Sequence, residues 1–141
     1  MAGAALTGGC LCGAVRFRGT PDARGIRVCH CGQCRRFFGG PMFSVHFVEG
    51  VVLERDAGLT WFRSSDIAER GFCSRCGSSL FWRRIGEARD WAVSAGALDS
   101  AEGLAITEHI WIDDKPDYYD LADDAPRRTA AEVRPGIQSE E

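Results

Sequence analysis

The chain has 141 residues, 45% of them hydrophobic and 26% charged, with a formal net charge of −3. That is the size of one compact domain around a single core, and it argues against a two-domain enzyme. No run approaches the roughly 18 consecutive apolar residues of a membrane span, and the Met-Ala-Gly-Ala-Ala-Leu start has no basic stretch ahead of a long apolar one, so a soluble, cytoplasmic protein without a signal peptide is expected.

Charge is unevenly spread. Residues 1–48 carry Arg16, Arg18, Arg24, Arg27, Arg35 and Arg36 against Asp22 alone, giving +5 and leaving −8 for the remainder. A basic first third favours a small anionic substrate, while an overall pI near 5.6 argues against a nucleic-acid binder.

In chain order, Val15 and Phe17 alternate with Arg16 and Arg18, and Phe43, Val45 and Phe47 alternate with Ser44 and His46; both patterns predict strands. Short apolar runs at Val51–Leu53, Leu59–Phe62, Leu80–Trp82, Trp91–Ala95 and Leu104–Ile112, bounded by Gly, Asp or Ser, predict more. Their spacing is that of an antiparallel β protein. Helical turns are expected near Gln33–Phe38 and Ser64–Ala68, and Asp99-Ser-Ala-Glu has the form of a capping box that Gly103 would cut short. From Asp113 onward the composition turns polar; the core is expected to span about residues 8–125 of a single domain, 1–141, with a frayed C-terminal end.

Seven cysteines are too many for a reducing compartment to leave without a use, and an odd number cannot all pair as disulfides. All seven lie in three motifs: Cys10-Leu11-Cys12-Gly13, Cys29-His30-Cys31-Gly32-Gln33-Cys34 and Cys73-Ser74-Arg75-Cys76-Gly77. The last has the form of a zinc knuckle, in which a tight turn lets two thiolates grip one ion and the following glycine adopts positive φ. Cys10 and Cys12, also followed by glycine, are its natural partners and complete a closed, four-ligand structural site. Cys29, Cys31 and Cys34 then remain, and a three-ligand site with an open fourth position is the signature of catalytic zinc. Other readings of the same residues are one four-cysteine zinc with three spare thiols, a Cys73/Cys76 redox pair, buried apolar thiols, His30 as a fourth ligand closing the second site, and iron in place of zinc.

Four ordered motifs, Gly8 to Val15, Cys29 to Arg36, Phe72 to Leu80 and His109 to Tyr118, resemble those of the glutathione-dependent formaldehyde-activating enzyme family, which includes centromere protein V. The resemblance implies a mainly β fold of small twisted antiparallel sheets in a β-tent arrangement held by zinc. It implies a structural Zn²⁺ on Cys10, Cys12, Cys73 and Cys76 and a catalytic Zn²⁺ on Cys29, Cys31 and Cys34. It also implies the condensation of glutathione with formaldehyde to S-hydroxymethylglutathione, classed with the carbon-sulfur lyases. The chain is similar to compact members of the family, which lack segments found in longer ones, so fold and metal transfer more securely than substrate.

Arg35 and Arg36, directly after Cys34, are candidate ligands for the carboxylates of a thiol such as glutathione, or they compensate the charge of the thiolate site. His46 and His30 are candidate proton donors, with a structural role as the alternative. Phe37, Phe38, Phe43 and Phe47 are expected in the core. His109 and Trp111 are expected on one strand face, with Ile110 and Ile112 on the other. The acidic residues from Asp113 to Asp124 read as a solvated loop. The resulting expectation is a lyase-type enzyme acting on a small thiol or thiol-aldehyde adduct, against a non-catalytic zinc-stabilised binding module; exposed edge strands are compatible with a homodimer.

Overall fold

A computed structural model of the chain describes residues 4–134. Among the described residues, ten strands form two sheets. The smaller contains β1 (Leu6–Gly9), β2 (Val15–Gly19) and β5 (Val52–Asp56) in the order β1-β2-β5, all antiparallel. The larger takes β3 (Gly25–Cys29), β4 (Met42–Phe47), β6 (Leu59–Arg63), β7 (Ala68–Cys73), β8 (Ser79–Arg84), β9 (Trp91–Ser94) and β10 (Ala105–Ile110), in the order β10-β3-β4-β9-β8-β7-β6. One helix, α1 (Gly32–Phe38), follows β3, and a short α2 (Ala130–Val133) lies near the end of the described chain.

The mainly β, antiparallel expectation is met, with one exception inside the larger sheet. Strand β10 runs parallel to β3. A parallel neighbour needs a long crossover, here the whole stretch from β4 to β9, which local patterning does not register. Strands β1, β3 and β7 were not expected at all; β1 and β3 are short, with two buried positions each, and β7 carries two adjacent charges, Glu69 and Arg70.

Side-chain alternation divides the larger sheet into two faces. Val45 opposes Val93, which in turn opposes Phe81, and these residues pack with Leu6, Val15, Phe17, Phe47 and Trp91 into the main core between the sheets. Phe17, Trp61, Phe81 and Trp91 make edge-on and stacked contacts there, with ring centroids 5.1–6.0 Å apart. Phe47 is fully buried as expected, whereas Phe37, Phe38 and Phe43 are only half-buried.

The opposite face carries the other parity: His46 opposes Ala92 and Trp82 opposes Ala92, while Arg27 opposes Ser44, Cys29 opposes Met42, and Arg70 opposes Trp82. Here a second apolar cluster forms from Cys29, Cys31, Cys34, Met42, Ile110 and Trp111, with Phe38, Trp82 and Val133 against it. The register therefore gathers residues from five strands on the face that holds the middle cysteine motif.

Three local expectations changed. Ser64–Ala68 is a turn rather than helical, and Asp99 opens no helix; its carboxylate is occupied by Thr7 and Arg16 instead. The alternation after β10 breaks at Trp111, which adopts φ 55 and is buried beside Ile110 rather than opposite it. Of the C-terminal end expected to fray, residues 130–133 form α2, capped by Thr129 and Glu132, and 135–141 lie outside the described residues.

Candidate metal centres

Cys10 and Cys12 sit in the turn joining β1 to β2; Cys73 ends β7 and Cys76 lies in the turn leading to β8. Both following glycines have the positive φ anticipated for them, 85° at Gly13 and 79° at Gly77. The Cys73 turn closes with a bond from the Gly77 amide to the Cys73 carbonyl, 2.7 Å. The two turns interlock: the Leu11 amide donates to Ser78 Oγ at 3.0 Å, and Ser78 Oγ also contacts Cys76 Sγ at 3.2 Å. Val15 N–H points at Cys10 Sγ, 3.2 Å away.

The four sulfurs lie within 4.8 Å of one another. Cys10 to Cys12 is 3.7 Å and Cys12 to Cys73 is 3.8 Å. A tetrahedron of sulfurs about 2.3 Å from a central ion has edges of about 3.8 Å, so the spacing fits a four-thiolate metal site. Gly58 permits it, since a Cβ there would stand 2.6 Å from Cys73 Sγ. The hydrogen bond from Ser78 holds the Cys76 thiol well below its ordinary range.

The middle motif is built differently. Cys29 ends β3, the chain turns at His30, and Cys31 caps α1, its Sγ accepting from the Cys34 amide at 3.4 Å. Residues three apart at a helix start share a side, so Cys31 and Cys34 face Cys29 together. All three sulfurs lie within 4.8 Å of one another, and all three residues are at most 3% exposed. Hydrogen bonds from Cys29 and Cys34, aided by Arg70, hold Cys31 far below an ordinary thiol. Both cysteine groups offer soft, all-sulfur donors, which suit a thiophilic ion and not magnesium or calcium.

Arg70, missed in the sequence, is the charge partner of this group. It projects from the centre of β7, is 2% exposed, and directs two guanidinium nitrogens at Cys34 Sγ, 3.6 and 3.7 Å away, while its guanidinium lies over Phe37. Charge compensation was expected of Arg35 and Arg36. Instead Arg35 donates to the backbone carbonyls of His30 and Asp114, at 3.1 and 3.3 Å, tying the motif to the turn after β10, and Arg36 is exposed. An arginine two residues ahead of Phe72-Cys73 was the available signal.

His30 points away from the sulfurs into a buried polar chain. Its Nδ1 meets Tyr119 Oη at 2.6 Å and its Nε2 meets His109 Nδ1 at 2.9 Å; His109 Nε2 meets both oxygens of Asp123 at 2.9 and 3.0 Å. Burial, then the neighbouring cationic groups, push His30 down to about 4, so it is neutral at physiological pH. With both ring nitrogens engaged it neither completes the three-cysteine group nor faces the cavity. The chain clamps the segment after β10 onto the motif.

His46 is in the cavity. A pocket of about 250 Å³ opens on the sheet face at Cys29, floored by Met42, Trp82 and Ile110 and bordered by His46, Arg27 and Arg84. Asp22 binds His46 Nδ1, and Asp90 lies 3.6 Å from Nε2. Neither Arg35 nor Arg36 lines this pocket.

The family model described as glutathione-dependent formaldehyde-activating enzyme matches residues 5–114. The chain belongs to that family. An uncharacterized lyase of Schizosaccharomyces pombe is 28% identical over 130 residues, covering 92% of this chain and 95% of the relative. A Halomonas elongata protein, provisionally named a glutathione-dependent formaldehyde-activating enzyme, is also 28% identical over 130 residues, covering 82% and 80%. Among solved structures, a Rhodobacter sphaeroides protein superposes with a TM-score of 0.56 at 26% identity, over 70% of this chain and 90% of that one. Among the described residues no helix is long and apolar enough to cross a membrane.

Proposed function

We propose that this member of the family is a zinc-dependent, lyase-type enzyme that joins a small thiol, of which glutathione is the leading candidate, to formaldehyde or a similar aldehyde. The observation that carries the reading is a buried three-cysteine group whose Cys29 forms the wall of an open pocket. A non-catalytic binding module has no need of such an opening.

Cys10, Cys12, Cys73 and Cys76 would hold one ion as a structural clasp, and Cys29, Cys31 and Cys34 a second. When bound there, zinc supplies acidification of a small thiol, whose free pKa of about 8.5 leaves it mostly protonated at neutral pH. The overall change is balanced without an oxidant: a carbon-sulfur bond forms, the carbonyl π bond opens, and the thiol proton ends on the new hydroxyl. Arg70, which does not line the pocket, offsets the charge of three thiolates through its contacts with Cys34 Sγ. His46 lines the outer part of the same pocket, with Asp22 fixing its Nδ1 and Asp90 3.6 Å from its Nε2. The Met42, Trp82 and Ile110 floor limits water around the reacting atoms.

The test is the zinc-loaded protein mixed with formaldehyde and glutathione, with S-hydroxymethylglutathione followed by NMR exchange spectroscopy. Acceleration over the protein-free rate that disappears in Cys31→Ser, with the fold retained, is the expected result. No acceleration with glutathione or any simple thiol at full metal loading defeats the reading.

A further inference from the structure

The pocket at Cys29 has a charge pattern that the proposed reaction does not itself require. Three arginines border it: Arg27 from β3, Arg84 from the end of β8, and Arg134 just after α2. Arg27 is committed, its Nε 2.9 Å from Glu108, which also takes Arg128 at 3.1 Å. Arg84 and Arg134 have no ion pair or side-chain hydrogen bond among the described residues. Asp90 is the acid on this wall, and it faces His46.

Both arginines are delivered to the pocket by structure rather than by chance of exposure. Arg84 shares the face of Trp82 through the alternation of β8, opposite Ala68 of β7. Arg134 is brought in by α2, whose Thr129–Glu132 capping box and bond from the Ala130 amide to Asp113 Oδ1, 2.8 Å, hold it against the cysteine cluster through Val133. The pocket thus has an apolar floor, sulfur at one wall and, at its border, two guanidinium groups uncommitted among the described residues.

We propose that Arg84 and Arg134 are specificity-determining residues that select a thiol bearing a carboxylate, and that an ammonium group on the same molecule contributes nothing to recognition. The proposal rests on the thiol-activating reading above. Guanidinium groups match a carboxylate bidentately, and among the described residues these two have no competing partner. Three arginines surround the single acid among the described residues of this wall, Asp90, which faces His46 Nε2 at 3.6 Å, and the neighbouring acids are taken: Asp22 by His46 and by the Val48 amide at 2.6 Å, Glu108 by two arginines. Arg35 and Arg36, assigned to this role from the sequence, lie off the pocket.

The experiment is calorimetric titration of the zinc-loaded protein with three probes of similar size: N-acetylcysteine, with a carboxylate and no ammonium; cysteamine, with an ammonium and no carboxylate; and 2-mercaptoethanol, with neither. The expected order is N-acetylcysteine about tenfold tighter than the other two, which bind alike. In the doubly substituted Arg84→Gln, Arg134→Gln protein, with metal content and circular dichroism unchanged, the preference falls to about twofold while 2-mercaptoethanol binding stays the same. Raising the salt concentration shrinks the preference in the unsubstituted protein only. Thiol binding with no carboxylate preference, or a preference that survives both substitutions, overturns the specificity proposal and leaves the reaction standing. Failure of all three thiols to bind overturns the thiol-activating reading itself.

Discussion

The two cysteine groups invert a common association between burial and inertness. The four-cysteine group, with the composition of a structural site, is partly open to solvent: Cys12 is exposed and Cys76 half-buried. The three-cysteine group, with the composition of a reactive site, is buried throughout. What makes a thiolate centre reactive is therefore not exposure of its ligands. In the proposed reading it is an open fourth position combined with a route for substrate, here the pocket at Cys29, while burial of the other ligands keeps competing oxidants and water from the sulfurs. The compensating charges follow the same division. Ser78 and backbone amides from the interlocked turns serve the first group, and a buried guanidinium serves the second.

The largest expected contrast comes from removing one ligand of each group. Cys73→Ala should abolish the cooperative fold, because zinc binding to a structural site of this kind is worth roughly 10 kcal/mol or more of folding free energy and the site staples the β1–β2 turn to the β7–β8 turn. Cys31→Ala should leave the circular dichroism spectrum intact, lower the bound metal by one ion per chain, and eliminate activity. Collapse of both variants would erase the distinction between the groups.

Arg70→Met should weaken metal retention at the three-cysteine group about 10–100-fold, read by chelator competition, and leave the four-cysteine group unaffected. His109→Ala removes the middle of the buried chain and leaves His30 Nε2 without its partner, while His30 Nδ1 keeps Tyr119 and Asp123 keeps the Ala125 amide and Arg127. A loss of about 2 kcal/mol in denaturant stability at saturating metal is expected, with a larger effect on the three-cysteine motif than on the four.

The smallest effect belongs to the periphery of the four-cysteine turn. Hydrogen bonds from Arg16 and Thr7 hold Asp99 down to about 2, so its contribution is present above pH 3.8 and fades as the pH falls toward 2. Because both Asp99 and Arg16 are substantially exposed, Asp99→Asn should cost only a few tenths of a kcal/mol at pH 7 and flatten the acid side of the stability profile.

Cysteine spacing alone carried the division into four and three, because ligand geometry is local: a tight turn or a helix cap fixes two sulfurs within a few residues, and positive-φ glycines mark where such turns close. Strands with strict alternation were legible for the same reason. Residues whose role depends on distant partners were not. Tyr119 and His109 meet His30 across as many as 89 residues, Asp123 joins through His109, and nothing near His30 announces them. Arg35 and Arg36 were chosen for nearness in sequence to Cys34, whereas the guanidinium that reaches its sulfur is Arg70, 36 residues on.

The sequence by itself therefore determined a zinc-type ligand inventory, a mainly β domain and the family. Only the tertiary structure decided which charges attend each cysteine group and that a pocket opens at Cys29. The register of five strands sets both, since a sheet brings together residues of matching parity regardless of their separation along the chain, and parity across a parallel β3–β10 pair is written in no local pattern.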